Sequence, residues 1–328
     1  MQASKLYPSL SIVIPVYNSQ LVLPTLAERL NQVLPQITQQ FEVILVNDGS
    51  ADDSWIEILR LSKEYNWIKG FSLMRNYGQH NAVLCGIRAA QNGIIVTMDD
   101  DLQHPPEEII KLLAKLEEGF DVVYGKPEQE QHGIFRNILS VVTKKLLASA
   151  MGVQSIQDIS AFRAFNVKLR NAFENFQSPN LHLDVLFSWG TTRFASVKIN
   201  HQPRLVGKSN YTFRRLFNQV MVSLTGFSTA PLRLASIAGF VFALFGMFIL
   251  IYTLGRYLIF RDTLPGFTFL ASIIALFSGV QMFALGLIGE YIAKMFNRSM
   301  ERPAYIVRDV CNEIGENLAI SQKVQRRK

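Results

Sequence analysis

Two long uncharged intervals constrain this chain more than any other feature. No Asp, Glu, Lys or Arg lies between Arg233 and Arg256, and none between Asp262 and Glu290. Each interval exceeds the roughly 20 apolar residues that cross a bilayer. Two of them back to back predict a transmembrane hairpin; a buried core hairpin is the alternative. Phe260 to Phe267 make a short turn, so both ends of the hairpin fall on one side. Basic residues at the outer ends (Arg214, Arg215, Arg233, Lys294, Arg298, Arg302) outnumber those at the turn (Arg256, Arg261). Positive-inside bias then places the rest of the chain in the cytoplasm. Thr212 to Phe227 is amphipathic, and fits either the membrane interface or packing against the preceding domain. The expected organisation is a cytoplasmic domain over 1–211, an interfacial helix over 212–231, two transmembrane helices over 232–292 and a cytoplasmic tail over 293–328. The tail ends in Gln325-Arg326-Arg327-Lys328, and is expected to be disordered or to lie on anionic headgroups.

Composition agrees. Of 328 residues 49% are hydrophobic and only 18% charged, and the net charge of +7 suits anionic partners. Helix-turn-helix, zinc-finger and RNA-binding aromatic patterns are missing, so the expected partner is lipid and not nucleic acid. Cys85 and Cys311 form no metal or redox spacing, which fits a reducing compartment. Met1 to Leu10 carry no signal-peptide pattern.

The N-terminal part alternates strand and helix. Strands are predicted at Leu10–Pro15, Phe41–Val46, Ile68–Met74, Gly93–Met98 and Asp121–Tyr124, with helices over Leu21–Gln39, Asp53 or Ser54 to about Tyr65, and Asn81–Ala90. This is the pattern of an α/β protein with a doubly wound, mostly parallel sheet. Strand C-termini in such sheets share one edge. The loops Pro15-Val16-Tyr17-Asn18, Asn47-Asp48-Gly49-Ser50 and Asp99-Asp100-Asp101 should therefore converge on one site.

Asp99 to Asp101 are the centre of that expectation. Clustered carboxylates at a strand end repel one another and need a cation, and hard oxygen ligands suit Mg²⁺ or Mn²⁺. Strand alternation would point Asp99 and Asp101 to the same side and Asp100 to the other, with the Gln103 amide oxygen close by. A solvated turn capping the helix that starts at Pro105-Pro106 is the alternative.

Competing nucleotide motifs are missing. No Gly-x-Gly-x-x-Gly follows the first strand, and Gly207-Lys208-Ser209 is a broken phosphate loop with Gln202 at the required first glycine. Further along, Gly133–Met151 reads as an amphipathic helix, Asp158–Phe165 as the start of a second helical stretch, and Phe194–Ile199 as an edge strand.

The ordered set Ile12-Val13-Ile14-Pro15-Val16-Tyr17-Asn18, Asn47-Asp48-Gly49-Ser50, Arg75-Asn76-Tyr77-Gly78-Gln79-His80, Asp99 to Pro106 and Phe162-Arg163, followed by two spans, resembles the family 2 glycosyltransferases that act on polyprenyl phosphate. The resemblance covers nearly the whole chain. It implies a GT-A fold, a UDP-linked or similar nucleotide-sugar donor, a polyprenyl phosphate acceptor such as undecaprenyl phosphate, and Mg²⁺ or Mn²⁺. It also implies a bacterial inner-membrane location and a homo-oligomer, with a tetramer as one form. Carried over by position, Pro15, Tyr17, Asp48, Asp99 and Asp100 take the nucleotide sugar. Asp99, Asp101 and Gln103 take the metal. Arg136, Ser140, Arg204 and Ser209 take the acceptor phosphate. Asp101, Asp158 and Arg163 serve catalysis, Asp158 as a base, an orienting group or a structural cap. Two positions depart from the pattern: Ser19 stands where the family has Glu, and Asn210 where it has Lys. A processive polysaccharide synthase would add a Gln-x-x-Arg-Trp motif, and none of Trp55, Trp67 and Trp189 follows an arginine. A non-catalytic membrane scaffold is the other alternative.

Overall fold

The computed structural model describes residues 6–127, 159–178, 181–200, 202, 230–260 and 266–311. Arg136, Ser140, Asp158, Arg204, Ser209, the expected helix over Gly133–Met151, the amphipathic stretch from Thr212, most of the hairpin turn and the basic end of the tail lie outside the described residues. The chain divides into two compact units, Met1–Tyr211 with Glu301–Lys328, and Thr212–Met300.

The first unit is built on one mixed sheet of eight strands: β1 (Leu10–Val16), β2 (Phe41–Asn47), β3 (Ile68–Leu73), β4 (Ile94–Thr97), β5 (Val122–Pro127), β6 (Arg163–Asn166), β7 (Phe194–Ile199) and β8 (Val307–Cys311), in the order β7-β5-β6-β4-β1-β2-β3-β8. β1, β2, β3 and β4 run parallel, in register from Leu10↔Phe41 and Leu10↔Ile94. All seven residues of β1 are buried, as a central strand with both faces covered requires. Among the described residues the α-helices of this unit are α1 (Leu23–Ile37), α2 (Ser54–Glu64), α3 (Gln79–Ala89), α4 (Ile109–Glu117) and α5 (Leu183–Gly190). In α1, Leu23, Leu26, Leu30, Leu34 and Ile37 fall at helical spacing and are buried against the sheet core, which supplies the stability a short helix lacks alone.

Three sequence expectations change here. The stretch entered as a helix at Asp158–Phe165 is instead strand β6 from Arg163, wedged antiparallel between β4 and β5. Phe162, Arg163, Ala164 and Phe165 are all buried, so they carry neither a two-residue nor a helical period that could identify them. The region assigned to the tail, 293–328, first completes a helix to Ser299 and then returns as β8, antiparallel to β3, so the sheet is mixed and not simply parallel. Finally, β4 ends at Thr97 and Asp99–Asp101 lie in the turn after it, so strand alternation does not orient their side chains.

Among the described residues the second unit contains α6 (Ala230–Phe260, 31 residues) and α7 (Phe267–Ser299, 33 residues), which touch through an edge-on contact of Phe242 with Phe277. At 1.5 Å per residue each helix runs about 45–50 Å. Several of their side chains fall outside the described set, and counted over the described residues alone no helix is long and apolar enough to cross a membrane. Leu234, Phe240, Leu244 and Phe248 are each more than half exposed.

Candidate active site

The C-terminal ends of β1, β2 and β3 are tied together by their own loops. Asp48 follows β2, and its amide donates to the Val16 carbonyl at the end of β1. The Asp48 carboxylate accepts from the amides of Tyr77 (2.7 Å) and Gly78 (2.9 Å), which open α3. Burial raises its pKa above the ordinary aspartate value, and these two amide bonds hold the rise in check. Gly49 has φ +63°, and a Cβ there would stand 2.5 Å from the backbone of Arg75 and Asn76. Only glycine allows the second and third loops to pack this closely.

The first loop joins the same assembly. Asn18 has φ +53°, its amide donates to Ser50 Oγ (3.0 Å), and its side-chain oxygen accepts from the Ala51 amide (2.8 Å). Ser19 donates its amide to Ser54 Oγ (2.9 Å) and its hydroxyl to the Tyr17 carbonyl (3.2 Å). Asp52 accepts from the Ser54 amide and hydroxyl at the start of α2. Pro15 lies beyond the last β1–β4 pair, Val13↔Thr97, so its missing N–H falls where that ladder has ended. Tyr17 is half exposed beside it.

Asp99, Asp100 and Asp101 are half-buried in the turn after β4. Asp99 accepts from the Gln79 side-chain amide (2.5 Å), Asp100 from the Tyr17 amide (3.4 Å), and Asp101 from the Gln103 amide (3.1 Å). The turn therefore meets the β1 and β3 loops, as their common sheet edge predicts. Leu102, φ +58° and buried, reverses the chain into the Pro106–Glu108 turn and α4. Left-handed backbone at a buried leucine is strained, and such strain is found mainly where the surrounding structure holds it for a purpose. Among the described residues no three His, Cys, Asp or Glu side chains are gathered to hold a metal. Two carboxylates on one turn nevertheless fit a hard divalent ion of the kind that keeps waters and completes its shell with substrate phosphates.

Arg163 feels the charge of Asp99 in this turn. Its guanidinium is buried, ion-paired with Asp184 from α5, and donates to Thr97 Oγ1 (3.0 Å). Tyr124 donates to the same Asp184 carboxylate (2.9 Å). Burial alone would lower the pKa of Arg163, but Asp184 outweighs it and holds the value above normal; burial and Asp184 together push Tyr124 far up. Arg163 therefore braces β4, β6 and α5 just before the acidic turn, and the charge of Asp99 in that turn also helps to raise its pKa. His80 and His182 lie over this network with ring centroids 4.8 Å apart. Burial lowers the pKa of His80 to about 4 and that of His182 below its usual value. Asp184, Tyr124 and His182 were not singled out in the sequence, because partners 21 to 102 residues away leave no local pattern. Gln79 was legible only as part of its motif.

Family models identify the class of protein that carries this loop assembly over a mixed α/β sheet. The glycosyl transferase family 2 model matches residues 11–173, and the GtrB C-terminal hairpin model matches residues 230–295. The chain belongs to the family 2 glycosyltransferases. It is 35% identical over 312 residues to the undecaprenyl-phosphate 4-deoxy-4-formamido-L-arabinose transferase of Photorhabdus laumondii, covering 94% of each chain. To the protein of the same name from Yersinia enterocolitica it is 34% identical over 331 residues, covering 99% of this chain and 100% of that one. Among solved structures, glucosyl-3-phosphoglycerate synthase of Mycobacterium tuberculosis in complex with phosphoglyceric acid aligns with a TM-score of 0.50 at 17% identity, over 66% of this chain and 79% of that one. At that identity the likeness speaks for the fold.

Proposed function

We propose that this protein transfers a sugar, with inversion, from a UDP-linked donor to the phosphate of a membrane polyprenyl phosphate such as undecaprenyl phosphate. The observation that carries the reading is the acidic turn bonded to the loops of β1 and β3, in a family 2 chain whose relatives are named for an undecaprenyl phosphate acceptor. Tyr17 and the loop closed by Asp48 would flank the nucleoside, and the turn Asp99–Asp101 the diphosphate. Asp99, Asp101 and Gln103 would hold Mg²⁺ or Mn²⁺, which when bound supplies charge to a leaving diphosphate.

The chain's own residues then have mainly to align two anions. An acceptor phosphate has its second pKa near 6, so it is largely a nucleophilic dianion at about pH 7 and needs no general base. It attacks the anomeric carbon from the face opposite the departing nucleotide. Arg136 and Arg204 would clamp the acceptor phosphate with planar, charge-assisted hydrogen bonds. α6 and α7 would form the membrane hairpin, supported by the uncharged intervals, the matched hairpin model and the exposed Leu234, Phe240, Leu244 and Phe248. Both chain ends would then be cytoplasmic and the protein would sit in a bacterial inner membrane, as a homo-oligomer.

The test is to incubate membranes carrying the protein with polyprenyl phosphate and a panel of labelled nucleotide sugars, beginning with the arabinose derivative of the relatives' names. A labelled glycolipid that disappears in chelator is the expected result. Donor consumption without glycolipid, or full transfer in chelator, overturns the reading.

A further inference from the structure

His80 and His182 have no part in the chemistry above, yet they stand beside it. His80 lies in the first turn of α3, next to Gln79, whose amide holds Asp99. His182 stands at the N-cap position of α5, directly before the helix that contributes Asp184. The rings approach to 4.8 Å at a tilt of 51°, and both residues are largely buried while keeping some exposure, so the pair is not a sealed packing contact. Behind them the sole guanidinium of this network among the described residues, that of Arg163, is closed off by Asp184. The charge of Arg163 reaches both histidines and also Asp99 of the acidic turn.

This composition selects a ligand class. A phosphate accepts hydrogen bonds only and seeks a free cation, and here the cation is already paired. A neutral imidazole carries one N–H donor and one ring-nitrogen acceptor. A sugar hydroxyl likewise both donates and accepts. Burial keeps both histidines neutral near pH 7, as their lowered pKa values indicate. A sugar linked to a diphosphate at Asp99–Asp101 is covalently confined to this neighbourhood.

The geometry points to His80 and His182 as a specificity subsite that reads hydroxyl or other neutral polar substituents of the donor sugar. The inference rests on the donor reading given above. A site built to hydrogen-bond a substituent rejects the analogue lacking it far more strongly than a purely apolar pocket does. The imidazole pair would therefore set which sugar is accepted more than how tightly the nucleotide is held.

Calorimetric titration of the full-length protein in detergent with Mg²⁺ tests this, using UDP alone and UDP-sugars that differ at single substituents, the 4-deoxy-4-formamido-L-arabinose derivative among them. His80→Phe and His182→Phe should bind UDP within about twofold of wild type, yet lose about tenfold or more of the affinity difference between preferred and poor sugars. His80→Gln and His182→Gln, which keep a donor and an acceptor, should recover a substantial part of it and cover the case in which phenylalanine disturbs folding. Retained wild-type preference in all four variants overturns the subsite and leaves the donor reading standing. Parallel loss of UDP and UDP-sugar affinity in the glutamine variants also overturns it, because the pair then supports the nucleotide site or the fold. If wild type binds neither UDP nor any UDP-sugar, the donor reading falls and the subsite falls with it.

Discussion

The carboxylates at the two ends of the parallel strands divide between enclosed and partly exposed settings. At the N-terminal end, Glu42 of β2 accepts from Ser11 Oγ (2.6 Å), the Gln91 amide (2.7 Å) and Lys69 Nζ (2.8 Å), while Asn92 donates to the Leu10 carbonyl (2.8 Å) and Ser11 Oγ accepts from the Asn92 amide (3.1 Å). The network closes on itself and locks β1, β2 and the start of β4. At the C-terminal end Asp48 is used in the same structural way, on the amides of Tyr77 and Gly78. Asp99, Asp100 and Asp101, one strand over, remain half-buried at the surface of the turn. A carboxylate enclosed by donors contributes to stability. One that stays partly exposed on a surface turn is within reach of solvent and ligand. The line between the two roles is drawn by enclosure, not by residue type.

The largest effect should come from Asp184, which lies below the chemical end but is enclosed like a structural group. Asp184→Leu leaves Arg163 charged and unpaired in the core, and breaking a buried pair from one side costs roughly 3–5 kcal/mol. Urea unfolding should register the loss; a variant as stable as wild type would move the boundary inward and break the comparison. Next, Asp101→Asn should lower transfer by roughly a hundredfold while the melting temperature stays within a few degrees. An inactive but markedly destabilised Asp101→Asn would make the turn a structural element after all.

Glu42→Gln should do the reverse, costing about 2 kcal/mol of stability with the turnover of the folded protein unchanged. Burial works to raise the pKa of Glu42, but Lys69, Ser11 and the Gln91 amide together hold it below the ordinary value. Its contribution is therefore complete above the unfolded glutamate pKa and is lost as pH falls through the depressed folded value. Denaturation curves from pH 6 down to pH 3 should show wild type losing this increment while Glu42→Gln does not. The smallest effect belongs to Gln79→Ala, which frees one bond to Asp99 in a solvent-reached turn. Transfer should fall only about threefold to tenfold, with no change in the urea midpoint. A loss as deep as that of Asp101→Asn would place Gln79 among the groups that bind substrate.

The chemical end was far more legible in the sequence than the structural end. β1 to β4 announce themselves as apolar runs, and their loops converge because parallel strands share an edge. Asp48 was visible as a site residue, but its engagement with Tyr77 and Gly78 depends on a loop 29 residues away. The Glu42 network joins residues up to 82 apart and has no periodic signature. β6 is four residues long and buried on both faces, so nothing local separates it from a helix. The side-by-side placement assumed for Asp99 and Asp101 relied on a strand that stops at Thr97.

β8 sets an order of construction. Residues 230–300, with both long helices, are synthesised before Val307–Cys311 emerges to pair with β3. Until then the outer edge of β3 presents unpaired N–H and C=O groups, a template for strands of other chains. Tyr305 and the Ile306 carbonyl, which accepts from the Met74 amide, also arrive only at this stage, as does Arg308, which donates to the Met74 carbonyl. A chain stopped after α7 would carry nearly every residue of the proposed chemistry and still leave the ribosome with an open sheet. The last strand made is thus the one that closes the first domain begun.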